Sequence, residues 1–154
     1  MTPKAMHWPE YLAEAGLLGL FMVVACVLGV ALGHPSAAAV RALPEPFARR
    51  ALFGVAMGAT AVAAIYSPLG KRSGGHINPA VTLAFLALRK VKPRDAALYV
   101  AAQVAGATGG VLAAWAVLGA RLAHPAVHFV TTRPGPGGVL AAFAAKTTPR
   151  GSRS

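Results

Sequence analysis

The stretch Gly74-Gly75-His76-Ile77-Asn78-Pro79-Ala80-Val81-Thr82 holds the residue types from which a chain can build a hydrogen-bonding surface out of its own backbone. Gly74 and Gly75 permit conformations closed to other residues. Asn78 is a preferred helix N-cap and Pro79 a favoured first helical residue, so a helix is predicted from Pro79 to Lys90. That helix is about 18 Å long, roughly half of a hydrocarbon core. The extended residues Gly74 to Ile77 then offer carbonyl acceptors, the Asn78 amide offers donors, and the positive helix end faces the same place. Such a surface suits water or a small neutral polyol and disfavours protons and cations.

Elements of membrane length must position this loop. Cations lie at both its ends, which predicts a re-entrant segment over residues 73–90 that enters and leaves by one face. Irregular backbone at that depth has to be buried in protein or to line a watery cavity. Apolar runs predict spanning helices at about 11–33, 51–69 and 96–122. The expected fold is therefore an all-α membrane protein with three transmembrane helices plus one re-entrant half-helix. It occupies residues 1–145, and residues 146–154 are expected to form a solvated, disordered basic tail. The small residues Gly106, Ala107, Gly109 and Gly110 in the third run suit close helix packing in lipid.

Composition narrows the function classes. Apolar residues make up 56% and charged residues 12%, which points to a bilayer as solvent rather than water. The formal charge of +11 sits in short clusters between apolar runs, without the single basic face that nucleic acid requires. Lys71, Arg72, Arg89, Lys90, Lys92 and Arg94 form the densest cationic loop and predict a cytoplasmic side there, with the N-terminus on that side too. The loop with Arg41, Arg49 and Arg50 then falls outside, against the trend. The sole cysteine, Cys26, lies inside an apolar run and reads as a packing residue. The acids Glu10, Glu14, Glu45 and Asp95 form no polar cluster, and no nucleophile is paired with a base, so no enzyme activity or cofactor is expected. His76 has no Cys, Asp or second His at ligand spacing, so no metal is expected; His124 and His128 read as loop residues.

The string Ser73-Gly-Gly-His-Ile-Asn-Pro-Ala-Val-Thr-Leu-Ala84 resembles the first pore-loop signature of the major intrinsic proteins, the aquaporins and glycerol facilitators. Ala13-Glu14-Ala-Gly16 resembles the start of that family's first helix, and Gln103 the Gln of its third. The resemblance covers roughly residues 10 to 140, the N-terminal half of a family member. It implies a channel for passive transport of water or small neutral solutes such as glycerol, in a bacterial inner (plasma) membrane. Asn78 becomes a pore-centre donor, with Pro79 and Ala80 shaping the half-helix. Gly74, Gly75 and His76 present pore carbonyls, Glu14 braces the loop as a buried acceptor, and Gln103 braces or packs. Phe53 is a candidate for the pore mouth.

The family joins two inverted halves, each with such a loop. Asn78 is the only Asn in these 154 residues, so a second Asn-Pro-Ala is not among them. The expectation is a truncated channel that conducts when a second half or another copy completes it. The alternative is a non-conducting membrane subunit or degenerate fragment.

Overall fold

In a computed structural model, described here for residues 6–131, the chain is a bundle of helices with no strand among the described residues. Three are long and apolar enough to cross a membrane: α1 (Trp8–Gly33), α3 (Pro46–Tyr66) and α6 (Pro93–Leu118). Short helices α2 (Ala38–Ala42), α4 (Pro68–Ser73) and α7 (Ala120–Ala123) lie at the ends of these, and α5 (Pro79–Ala87) is the half-helix. A 3-10 turn at His128–Val130 follows α7. The expected tail at 146–154 and the rest of the segment beyond residue 131 lie outside the described residues.

Proline sets most of the boundaries. It occupies the first turn of α1, α3, α4, α5 and α6, where its missing N–H costs nothing. The second span consequently begins at Pro46 rather than near residue 51, behind Glu45, whose Oε1 accepts the Phe47 N–H at 3.0 Å. The two arginines that looked like loop residues are thereby helical, and Arg49 Nη1 turns back to donate to the carbonyls of Leu43 (2.6 Å) and Pro44 (2.8 Å). The same span ends at Tyr66 rather than 69, because Ser67 adopts an extended conformation and caps a new helix, accepting the Gly70 N–H at 3.0 Å. The third span starts at Pro93 and stops at Leu118, short of the expected 122, because Gly119 takes φ 54° and ψ −136°. The half-helix is also shorter than expected. It unwinds after Ala87, with Arg89 at φ 56° and the Lys90 N–H reaching back to Phe85 O at 2.8 Å.

Helices α1 and α6 are in intimate contact. A Cβ placed on Gly106 would overlap the Ala15 carbonyl, and one on Gly110 the Gly19 carbonyl. Gly109, on another face of the same helix, has open space around it. Small residues spaced by four let the two backbones meet, which is how helices associate where the surroundings are as apolar as the side chains. Toward the far end of the bundle, Cys26, Val30, Ala114, Leu122 and Val127 form an apolar core. The outer surface is apolar as well, with Val117 85% and Val55 72% exposed, the surface of a protein solvated by lipid.

Candidate functional site

The loop between α4 and α5 is organised around one carboxylate. Glu14, on α1, is 0% exposed. Its Oε1 accepts the Ser73 hydroxyl at 2.7 Å and the His76 N–H at 2.9 Å. Its Oε2 accepts the Ile77 N–H at 2.7 Å and the Gln103 side-chain amide at 2.8 Å. Four donors converge on a group that has only acceptors when ionised, so a costly buried charge is fully hydrogen-bonded. Two of them belong to the loop, one to the last residue of α4 and the fourth to α6. The carboxylate thus ties α1, the loop and α6 into one unit.

Gln103, 0% exposed, extends this network. Its Nε2 lies 3.1 Å from the hydroxyl of Thr82, itself 0% exposed. Thr82 stands one turn into α5, and its hydroxyl also lies 3.3 Å from Asn78 O. Tyr99 donates to Ser73 O at 2.8 Å. No buried side-chain nitrogen or oxygen among the described residues lacks a partner. Sequence reasoning quoted Ser73 and Thr82 within the motif without a role for their side chains, and passed over Tyr99. For Thr82 a signal existed: it lies four residues after Asn78, so its hydroxyl sits within reach of the cap carbonyl. Replacing Tyr99 with Phe removes the hydroxyl that fixes Ser73 O and is expected to destabilise by about 1 kcal/mol. Thermal unfolding in detergent checks this, and an unchanged midpoint would show that the Ser73 carbonyl finds another donor.

The structure places the remaining predicted residues as follows. Gly74 ends α4 at φ 92°, with its N–H bonded to Gly70 O at 2.9 Å. Gly75 has φ 60°, and with Gly74 and Ile77 also at positive φ the segment is a series of left-handed turns rather than the extended stretch expected from the sequence. The His76 ring is held between Phe85 and Tyr99, with ring centroids 4.8 and 5.0 Å away, and its Nδ1 is 3.0 Å from the Thr82 hydroxyl. Its side chain is therefore a packing element between α5 and α6. Ile77 sits at φ 46°, a region that costs a β-branched residue about 1–3 kcal/mol and persists only where surroundings enforce it. The Ile77 N–H bond to Glu14 is that enforcement.

Asn78 caps α5. Its Oδ1 accepts the Ala80 N–H at 2.8 Å, and Pro79 fills the first helical position. With the oxygen engaged by the cap, the amide nitrogen of this exposed side chain is left with no protein acceptor among the described residues. The uncommitted donor belongs to the residue that caps the N-terminus of a nine-residue apolar helix. Phe53 lies elsewhere. It lines a cavity of about 620 Å³ at the far end of the bundle, with Leu32, Arg49, Arg50 and Val130. The His124 ring packs at that end too, 4.7 Å from that of His34.

Comparison with known proteins points the same way as the geometry. Residues 1–144 match the family model described as Major intrinsic protein. The chain is 38% identical to "Aquaporin-5" of Mus musculus over 124 residues, covering 80% of this chain and 43% of that protein. It is 41% identical to "Aquaporin PIP2-4" of Oryza sativa subsp. japonica over 99 residues, 63% of this chain and 34% of that one. It is 42% identical to "Aquaporin-2" of Oryctolagus cuniculus over 96 residues, 62% of this chain and 79% of that sequence. The chain thus spans less than half the length of mouse Aquaporin-5, at 43%, and about a third of the rice protein, at 34%. No solved structure matches it significantly.

Proposed function

The chain belongs to the major intrinsic protein family, and from that premise we propose that it forms one side of a membrane pore for water or small neutral solutes such as glycerol. The observation that carries this reading is the split use of the Asn78 amide. Its oxygen is taken by the helix cap at 2.8 Å while its nitrogen stays available. A donor fixed in place by its own cap can replace one hydrogen bond of a passing solute's hydration shell without first reorganising. The positive end of α5 beside it raises the barrier for protons and cations. Glu14 holds the two backbone N–H groups before Asn78, so the loop keeps its shape as solutes pass.

The described residues supply one such half-helix, and a pore needs a facing wall. In this reading a second loop, on another copy or on further polypeptide, supplies it. The exposed side of α3, where only Met57 is buried, is available for that contact. The cationic end of the bundle lies on the cytoplasmic side of a bacterial-type plasma membrane, and the N-terminus with it.

Stopped-flow swelling of proteoliposomes tests the proposal, with the chain alone and with a co-expressed second half. Asn78→Asp is the informative variant, because Asp keeps the cap oxygen and removes the amide donor. Swelling above that of empty liposomes is expected in at least one preparation. The variant should be slower by roughly fivefold to tenfold, the worth of one hydrogen bond. Rates equal to empty liposomes in both preparations would favour a non-conducting subunit instead.

A further inference from the structure

We propose that the end of the bundle where α4 closes and α5 gives way to α6 is a binding surface for anionic phospholipid headgroups. Six cations meet there from three segments: Lys71 and Arg72 at the end of α4, Arg89 and Lys90 after α5, and Lys92 and Arg94 at the start of α6. All six are exposed. Among the described residues only two carboxylates lie near them on the surface, and both are engaged. Glu10 Oε1 is 3.5 Å from Arg72 Nε. Asp95 Oδ1 accepts the Tyr11 hydroxyl at 2.6 Å and lies 3.9 Å from His7 Nδ1. Among the described residues, no hydrogen bond or ion pair engages the side chains of Lys71, Arg89, Lys90, Lys92 or Arg94.

Two arginines of the opposite end behave differently, while Arg50 and Arg121 there are exposed and have no side-chain partner among the described residues. Arg41 Nη1 donates to Ser36 O at 2.7 Å, and Arg49 donates to the carbonyls of Leu43 and Pro44. These two guanidinium groups close the chain's own turns. At the α5–α6 link the cations are offered outward.

The link also carries an apolar anchor. Leu88 is 67% exposed directly before Arg89, and Val91 separates Lys90 from Lys92. A short segment that alternates aliphatic and cationic residues between two membrane helices sits at the depth where acyl chains meet phosphates. A soluble phosphate would engage the cations and leave Leu88 in water. A lipid satisfies both, which is why the bilayer is the partner this surface fits. The proposal rests on insertion in a membrane and is independent of whether the loop conducts.

The test uses the full chain with Trp115→Phe, leaving Trp8, at this same end, as the only tryptophan. The chain is placed in phosphatidylcholine nanodiscs doped with a trace of fluorescent phosphatidylglycerol or of fluorescent phosphatidylcholine. Energy transfer from Trp8 should report about a tenfold enrichment of the anionic probe over the zwitterionic one, falling in high salt. The K90Q/K92Q/R94Q variant should bring the ratio close to one, while K90R/K92R should retain it and so separate charge from folding. A ratio near one in the parent chain overturns the proposal. So does an equal loss in R50Q/R121Q, which would mean net charge alone is at work. Displacement of the anionic probe by millimolar glycerol phosphate would also overturn it, by assigning the cations to a soluble phosphate.

Discussion

Glu14→Ala is expected to destabilise the protein by roughly 2–6 kcal/mol, because it strands two partly buried backbone donors at about 1–3 kcal/mol each. The donors are the N–H groups of His76 and Ile77, which bond to Glu14 at 2.9 and 2.7 Å. Ser73 and Gln103 also lose their acceptor, but their side chains can turn to other partners. The two amides cannot turn, because the loop is fixed on one side by Gly74 closing α4 and on the other by Asn78 capping α5. The bond that enforces the left-handed conformation of Ile77 at φ 46° is lost as well, so the strain there is no longer offset. Glu14→Gln should cost about half as much, near 1–3 kcal/mol. One oxygen remains to accept, and Gln103 can flip its amide to meet the new NH2 group. Whichever way the new side chain is turned, one of the two backbone donors then faces another donor. Hydrogen exchange separates the cases. Protection should be lost at both residues 76 and 77 in the alanine variant and at one of them in the glutamine variant. Equal protection in parent and alanine protein would mean that water replaces the carboxylate and that Glu14 does not hold the loop.

The half-helix and its cap were legible in the sequence because they depend on local chemistry. Asn then Pro starts a helix wherever it occurs, and Gly-Gly before it frees the backbone. Glu14 was also legible, since a carboxylate within an apolar run needs partners. Which partners it takes depends on tertiary contact, and residues 59 to 89 positions apart supply them. That is why the parts played by Ser73 and Tyr99 went unseen: each is an ordinary residue type whose role comes only from what α1 and α6 bring beside it. Arg49 shows the limit on boundaries. The apolar run that starts at residue 51 left it in a loop, whereas a long side chain on the first turn of a helix can reach back to the preceding carbonyls, as it does to Leu43 and Pro44. The half-helix ran three residues short of expectation for a similar reason. The apolar pattern continues through Leu88, and the backbone turn at Arg89 leaves no trace in hydrophobicity.

Gly106→Ala is expected to cost about 1–3 kcal/mol, the range for overpacking a tight interface, although alanine is the better helix former. The added methyl overlaps the Ala15 carbonyl, which is backbone and cannot move aside. The helices must separate, and they do so next to the loop brace. Ala15 adjoins Glu14, and Gly106 lies one turn from Gln103 on the same face of α6. Separation therefore lengthens the 2.8 Å bond between Gln103 and Glu14. Gly109→Ala is the matched control, because a Cβ there meets nothing within 4 Å; its effect should be near zero or slightly stabilising. Thermal unfolding of both variants in detergent compares them directly. A double-mutant cycle with Gln103→Leu tests the coupling, since contacts sharing one network depart from additivity by about 0.5–3 kcal/mol. If Gly106→Ala is as mild as Gly109→Ala, the helices have room to spare at this crossing. If the two effects simply add, helix spacing and loop bracing are separate properties. A non-additive result would mean that the contact between two glycine-bearing backbones sets the distance across which Glu14 can hold the loop.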